Sequence, residues 1–182
     1  MSSEIKANKI SPATGTAFTL GDSGDTFTVP SGATLDVTGA TVTGLSAGKV
    51  LQVVQGTYAT QTSTTGTTYV TTNLSASITP SSTSNKVLVT GVINSFYAYG
   101  GNPTGGYIAL YRDSSSIVAP AGWSYTTGVG VIASMPFNYL DSPSSTSSLT
   151  YEVYFKKHAS GSTIVAHDSG NPSYITLMEI EA

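Results

Sequence analysis

The stretch KVLVTGVINSFYAY, residues 86–99, is the strongest structural signal in this chain. It is almost continuously apolar and rich in β-branched and aromatic side chains, a composition that favours a strand covered on both faces. Such a strand belongs in the centre of a sheet, and the segments around it must then supply the neighbouring strands. The sequence therefore predicts an all-β protein built around residues 86–99.

Strand patterns continue on both sides of this segment, separated by clusters of Gly, Pro, Ser and Asn. Upstream, residues 50–55 predict a strand, and the threonine-rich run 57–72 predicts one or two edge strands. Asp and Ser at 113–116 favour a hairpin turn. The strands predicted downstream are 107–112, 117–119, 129–137, 149–156, 163–167 and the closing YITLMEIE, 174–181. About eight strands in this order match a double-sheet jelly-roll β-sandwich.

The composition limits the classes of partner. Only 9% of residues are charged and the net charge is −3, whereas about 25% is typical of soluble domains. Without a basic stripe, neither nucleic acid nor an anionic membrane is an expected partner. No stretch approaches the length of a membrane span, and the N-terminus MSSEIKANKISP lacks the apolar core of a signal peptide. We expect synthesis in a cytoplasm, without a signal peptide and without membrane insertion.

The N-terminal part repeats a short strand-and-turn unit in TAFTLGDSGDTFTVPSGATLDVTGATVTGL, residues 16–45. Strands this short cannot bury their own apolar side chains, and units of this kind are stable only when they stack on neighbours. The predicted core positions are Phe18, Leu20, Phe27, Val29, Leu35, Val37 and Val42. We predict three parts: an anchoring arm (1–15), a short β shaft of three intertwined chains (16–46) and a jelly-roll knob (47–182).

The last strand is apolar on both faces, with Ile175 and Leu177 on one and Met178 and Ile180 on the other. In a monomer one of these faces would meet water, which is unfavourable for apolar side chains. In a homotrimer that face can line the threefold axis. The four residues are therefore the candidate axis positions.

Several phrases resemble the fibre proteins of tailed bacteriophages, especially those of marine phages and cyanophages. They are FTLGDSGDTFTVPSGATL (18–35), SITPSSTSNKVLVT (77–90), YRDSSSIV (111–118), NYLDSPSSTSSLTYEVYF (138–155) and YITLMEIEA (174–182). The resemblance covers most of the chain from about Asn8. It implies a homotrimer on the virion, with a thin shaft and a knob similar to the tumour-necrosis-factor-like jelly rolls.

The resemblance also implies how such a protein is used. As a tail fibre or fibre tip, it is held through its N-terminal arm by a tail adaptor or capsid protein, and its knob loops can contact a host surface. The alternative is a head fibre or a cement protein that decorates the capsid in a purely architectural role. The family has no fixed catalytic motif that could be matched to residues of this chain. We therefore expect a non-enzymatic structural protein.

Two glycine-rich segments, residues 97–107 and 120–128, are candidate contact surfaces because they combine aromatic and amide side chains in loops. Aromatic rings stack on the C–H faces of sugars, and amides bind sugar hydroxyls. The candidate contacts for a host glycan or protein are Tyr99, Asn102, Tyr107, Trp123, Tyr125 and Asn171. The alternative is that Trp123 packs against the sandwich or a neighbouring subunit while the glycines turn the chain.

Other polar residues give weaker signals. His158, His167 and Asp168 match no metal-ligand spacing, and the two histidines are interpreted as exposed turn residues beside Lys156 and Lys157. The chain has no cysteine for a disulfide or a thiolate site. No two carboxylates share a recognisable catalytic motif among Asp113, Asp141, Glu152, Asp168, Glu179 and Glu181. Asp141 is interpreted as a turn cap, and we expect no metal and no cofactor.

Overall fold

The computed structural model describes residues 14–15, 24–26, 28–38, 48–100, 104–126, 132–158 and 163–182; side chains are described for these residues except 104 and 119–126. The chain divides into two compact units, Met1–Thr43 and Gly44–Ala182.

The described part of the first unit consists of turns and extended backbone. Gly32 has φ 85°, a left-handed conformation that glycine adopts without strain, and the amide of Ala33 donates to the carbonyl of Pro30. Of the predicted shaft core, Val29, Leu35 and Val37 are exposed within the single chain. Phe18, Leu20, Phe27 and Val42 lie outside the described residues. The intertwined shaft stays a prediction.

The second unit is built from strands. Within its described residues they are β1 (Val50–Tyr58), β2 (Thr62–Thr64), β3 (Val70–Ile78), β4 (Lys86–Tyr99), β5 (Thr104–Arg112), β6 (Ser115–Thr126), β7 (Ala133–Asp141), β8 (Leu149–Lys157), β9 (Thr163–Ala166) and β10 (Ser173–Ile180). A short 3-10 helix, Asp168–Gly170, precedes β10. In the described part of the chain, no helix is long and apolar enough to cross a membrane.

Strand β4 has the bounds and the central position that the sequence predicts. It pairs antiparallel with β10 along one edge and with β7 along the other. The pairing with β7 is interrupted by a bulge between Ile93 and Phe96, where Ser95 has φ 49°. Beyond the bulge, Tyr97–Tyr99 pair with β9, which pairs in turn with β2. Because both edges are occupied, β4 organises the larger sheet.

The second sheet has the order β3-β8-β5-β6. Without the short β2 and β9, the remaining strands lie in the orders β1-β10-β4-β7 and β3-β8-β5-β6. Numbered one to eight along the chain, these orders are 1-8-3-6 and 2-7-4-5, the arrangement of a double Greek-key jelly roll. The prediction of an all-β jelly-roll sandwich is confirmed.

The hairpin between β5 and β6 is tighter than the sequence suggested. The turn residues are Asp113 and Ser114, whose φ values are 48° and 68°, as a two-residue type I′ turn requires. The Asp113 carboxylate accepts a hydrogen bond from the amide of Thr150 at 2.8 Å, and the Asp113 amide donates to the Thr150 carbonyl at 2.9 Å. These bonds fix the hairpin to the start of β8.

The core lies between the two sheets and is filled by alternate residues of each strand. Its largest fully buried apolar and aromatic side chains are Tyr151, Phe96, Phe155, Leu74, Ile78, Ile93, Ile108, Ile164, Ile175 and Leu177. Gly91 faces this core because the ring of Phe137 occupies the space beside it, only 2.5 Å from where a Cβ would stand. The alternation leaves the other set of side chains in each strand on the two outer faces.

Candidate functional site

The outer face of the larger sheet carries three rows of side chains across β1, β10, β4 and β7. The register places them as Val53–Met178–Leu88–Leu140, Gln55–Thr176–Thr90–Asn138 and Thr57–Tyr174–Val92–Pro136. None of these residues is charged, and we call this surface the uncharged sheet face. Lys86, which pairs with Ile180 at the end of the sheet, is the first charged residue beyond it.

Much of the uncharged sheet face is apolar and open in the single chain. Val53 is 58% exposed and Leu140 is 49% exposed, and they stand at the two ends of the same row. Contiguous exposed apolar surface on a soluble domain marks an interaction site.

The candidate axis residues are divided between the two faces of β10. Ile175 and Leu177 are fully buried in this chain's own sandwich core, so they are not available to line an axis between chains. Met178 and Ile180 lie on the opposite, outer face, where they are half-buried. The strand alternation was predicted, and the position of the core now assigns Ile175 and Leu177 to the interior.

The outer face of the smaller sheet has a different chemistry. Its side chains include four half-buried tyrosines and a lysine, which we call the tyrosine surface: Tyr69, Tyr107, Tyr111, Tyr154 and Lys156. In β8 the inward residues are Tyr151, Val153 and Phe155, so alternation turns Glu152, Tyr154 and Lys156 outward. The β5–β8 register sets Tyr107 beside Lys156 and Tyr111 beside Glu152.

The rings of the tyrosine surface contact one another. Tyr111 and Tyr154 stack with their ring centres 3.9 Å apart, and Tyr69 meets Tyr111 edge-on at 6.1 Å. The Nζ atom of Lys156 lies 4.4 Å from the ring centre of Tyr69 and 5.6 Å from that of Tyr107. Burial raises the pKa of Tyr69, and burial together with the Glu152 carboxylate raises the pKa of Tyr154. Both phenols therefore remain protonated at neutral pH.

The predicted contact residues whose side chains are described, Tyr99, Tyr107 and Asn171, lie on different parts of the domain. Tyr107 lies on the tyrosine surface, and its register partner on β6 is Trp123, while Tyr125 pairs with Gly105. The side chains of Trp123 and Tyr125, and all of Asn102, lie outside what the structure describes.

The other two predicted contacts lie elsewhere. Tyr99 is 53% exposed at the end of β4, with its ring beside that of Tyr97. Asn171 is exposed and donates to the hydroxyl of Ser95 at 2.9 Å, at an open cleft of about 380 Å³. The sequence pattern did not single out Tyr69, Tyr111, Tyr154 and Lys156 as members of one surface, although the alternation of β8 already turned the last two outward.

Asp141 was predicted to cap a turn, but it instead holds the two sheets together. It ends β7 in the larger sheet, where it is buried. Its Oδ2 atom lies 2.5 Å from Nη1 of Arg112 and accepts a hydrogen bond from the Tyr151 hydroxyl at 2.7 Å. Burial and the Asp141 carboxylate raise the pKa of Tyr151. The ion pair joins β7 to β5, which belong to different sheets.

Glu179 is buried, and the groups that donate hydrogen bonds to its carboxylate are neutral. Its carboxylate accepts hydrogen bonds from the side chains of Gln52 and Asn85 and from both the amide and hydroxyl of Ser81, at 2.5 to 2.7 Å. Burial alone would raise the pKa of Glu179, but these donors outweigh it and lower the pKa to about 2. The network ties β1 and the segment before β4 to β10, which is a structural use of this carboxylate.

His167 is fully buried, contrary to the prediction of an exposed turn residue. Its Nε2 donates to the Thr72 carbonyl at 3.0 Å, so its Nδ1 accepts from the Ser173 hydroxyl at 2.6 Å. Burial lowers the pKa of His167. His158 is exposed, as predicted. Among the described residues, no group of three His, Cys, Asp or Glu side chains is placed to hold a metal ion.

No protein-family model matches this chain, and no curated protein matches its sequence. Solved structures of infectious bursal disease virus are similar at low identity. The Gt strain structure is 19% identical over 75% of this chain and 39% of that chain, with a TM-score of 0.39. The T=1 particle derived from this virus is 18% identical over 72% of this chain and 36% of that chain, with a TM-score of 0.38. The chain thus spans well under half of these proteins, and similarity at these TM-scores is too distant to bear on its function.

Proposed function

We propose that this chain is a non-enzymatic structural protein of a virus particle, a homotrimeric fibre whose knob is the jelly roll. The resemblance to phage fibre proteins, which covers most of the chain from about Asn8, supports the fibre assignment. The uncharged sheet face is the observation that carries the proposal, because it offers a surface through which copies of the knob can associate.

The physical argument begins with the cost of removing a surface from water. Burying an unpaired charge costs several kcal/mol, whereas apolar area contributes about 25 cal/mol per Å² when it is buried. The three rows of the uncharged sheet face contain no charge that would lose its hydration. An outer sheet face that remained in water would ordinarily be polar or charged at alternate positions.

The shaft gives a second reason to expect several chains. Leu35 is 62% exposed and Val37 is 45% exposed in the single chain, and both stand at positions where the repeat pattern predicts a core. Side chains of this kind gain stability only when other copies cover them. Association through the shaft and through the knob would reinforce each other.

The carboxylates favour an architectural role over catalysis. Asp141 is engaged with Arg112 and Tyr151, and Glu179 with its neutral donors. The Asp141 contacts link β7 to β5 and β8, and the Glu179 contacts link β10 to β1 and to the segment before β4. We therefore assign these side chains to stability.

The test is the solution mass of the full-length chain and of a version that begins at Gly48, measured by light scattering at several concentrations. We expect both to have three times the mass of one chain. A folded monomer in both samples would contradict the proposal. A full-length trimer with a monomeric knob would move the assembly to the shaft and remove the role of the uncharged sheet face.

The position on the particle is a separate question, because a head fibre or a capsid decoration protein can use the same association surface. Antibodies against the knob, located on particles by electron microscopy, distinguish the two. Labelling at the tail supports a tail fibre, and labelling over the capsid supports the decoration role.

A further inference from the structure

The tyrosine surface is not needed by the core of the sandwich. The inward side chains of the same strands, including Ile108, Val153 and Phe155, already fill the interior. Small polar residues at the outward positions would keep this face soluble, as Ser77 and Thr150 do further along the sheet, where their hydroxyls bond each other. Four aromatic rings are therefore more than the fold requires at this place.

The rings are already ordered before any partner arrives. Tyr111 and Tyr154 stack on each other, and Tyr69 and Tyr107 pack on either side of Lys156. Tyrosine offers a large amphipathic contact area with few rotatable bonds, so the tyrosine side chains lose little conformational entropy when a partner binds.

The charge at the centre of the surface selects the partner. Over the part of the chain that the structure describes, Lys156 contacts the rings of Tyr69 and Tyr107 and no carboxylate forms an ion pair with it. Its ammonium group would repel a cationic ligand and would lose hydration beneath an apolar one. An anionic group, in contrast, gains a charge-assisted hydrogen bond. Glu152 on the same face accepts a hydrogen bond from Thr71 and keeps its negative charge. It lies beside Tyr111, whereas Lys156 lies beside Tyr107, so an anionic group is favoured at the Lys156 end of the surface.

We propose that the tyrosine surface binds an acidic carbohydrate, with the C–H face of a sugar ring on the tyrosines and the sugar carboxylate on Lys156. This inference rests on the proposed function, because a virion fibre meets the carbohydrate of its host surface. A nucleic-acid strand is disfavoured because it needs a track of cations. The chain has a net charge of −3 and only seven lysines and arginines.

The experiment uses the full-length protein, with its tyrosines labelled with ¹³C and observed by NMR. The probes are hexagalacturonate and hexamannuronate, with the neutral hexagalactose as the matched sugar and a thymidine hexanucleotide as the anionic alternative. We expect the two acidic sugars to shift the resonances of Tyr69, Tyr107 and Tyr154 and to bind at least about tenfold more tightly than the neutral sugar.

Matched variants locate the binding. Lys156→Gln removes the charge and Tyr107→Ala removes one ring, and each is expected to weaken the binding of the acidic sugars about tenfold. Lys86→Gln, on the other sheet, should change it less than about twofold. Tyr107→Phe keeps the ring and should retain most of the affinity, which separates stacking from loss of structure.

The outcomes are distinct. The inference is overturned if neither acidic sugar binds at about 10 mM. It is also overturned if hexagalactose binds as tightly as the acidic sugars, or if the hexanucleotide binds more tightly. Unchanged affinity in Lys156→Gln also overturns it. The mass of the same samples is measured alongside: a trimer that binds no acidic sugar ends this inference only, whereas a monomer contradicts the proposed function.

Discussion

The two outer faces of this sandwich cover the same apolar core but differ in the chemistry that they present to their surroundings. On the larger sheet no charge interrupts three rows of side chains, and the one charged residue of β10, Glu179, points inward to neutral donors. On the smaller sheet Glu152 and Lys156 point outward among tyrosines. Under the proposed function, the placement of charge, more than the composition of the core, separates the face through which copies associate from the face that binds a ligand.

The largest effect is expected when the same charge is placed on each of the two faces. Met178→Asp should dissociate the assembly, because each copy then brings a carboxylate into a surface that is otherwise uncharged, at several kcal/mol per buried charge. Tyr111→Asp, on the tyrosine surface, should leave the mass unchanged. Sedimentation velocity over a hundredfold range of concentration measures both, and an intact Met178→Asp trimer would refute the assignment of the two faces.

A second test concerns the charge that β10 turns inward. Glu179→Gln replaces one accepting oxygen by an NH₂ group that faces donors from Gln52, Ser81 or Asn85. We expect the free energy of unfolding to fall by about 2–3 kcal/mol, the cost of leaving buried polar groups unsatisfied. Glu181→Gln, beyond the strand end, is the matched control with little effect. Urea unfolding measures both, and equal stabilities would show that the network contributes nothing.

Acid should act on the fold through His167 and leave the uncharged sheet face unaffected. The pKa of buried His167 is lowered from 6.5, so below pH 6.5 the unfolded chain binds a proton more readily than the folded one. The contribution of neutral His167 to stability is therefore complete above pH 6.5 and is lost as the pH falls toward the folded pKa, by about 1.4 kcal/mol for each unit of the pKa difference. Urea unfolding at pH 7.5 and 5.5 checks this.

The control for the acid effect is a pair of histidine variants. His158→Gln should keep the pH dependence, because His158 is exposed. His167→Gln should lose most of it between pH 7.5 and 5.5, although its stability is lower at every pH. A wild-type protein whose stability is flat over this range would contradict the neutral, hydrogen-bonded state of His167.

The smallest expected effect is that of salt. Since no charged pair lies in the three rows of the uncharged sheet face, raising the salt from 0.05 to 0.5 M should change the association constant by less than about threefold. Binding of an acidic sugar at Lys156 should weaken over the same range. Light scattering and the tyrosine titration measure the two, and a strongly salt-dependent assembly would indicate that ionic contacts outside this face hold the copies together.

Much of the fold was predictable because its signals are local. The apolar run at 86–99 gave β4 with its bounds, and the alternation at 149–156 gave most of β8. Residues 129–131 of the segment 129–137 and the turn at 160–162 lie outside the described residues. The central position of β4 in its sheet also followed from its composition, since an almost continuously apolar strand favours the middle of a sheet. The identity of its neighbours, β10 and β7, did not.

The errors concern long-range contacts, which no local pattern encodes. His167 stands next to Asp168, Ser169 and Gly170 and looked like a turn residue, but its left-handed backbone, with φ 59°, carries it to Thr72 and Ser173. Ile175 and Met178 are both apolar, so the sequence of β10 does not show which of them faces the core. The packing of the second sheet against one face of β10 determines it. The tyrosine surface required the β5–β8 register, which brings Tyr107 to Lys156 from distant parts of the chain.

Hydroxyl-radical footprinting of the assembled full-length protein tests the contrast between the two faces most directly, because methionine and tyrosine side chains both react when exposed. We predict that Met178 is protected in the trimer while Tyr111 and Tyr154 are modified, and that Leu140→Asp, which should dissociate the trimer, restores the reactivity of Met178 without changing that of the tyrosines. Fast oxidation of Met178 in an intact trimer, together with protected tyrosines, would show that the subunits meet through the other sheet and would contradict the account.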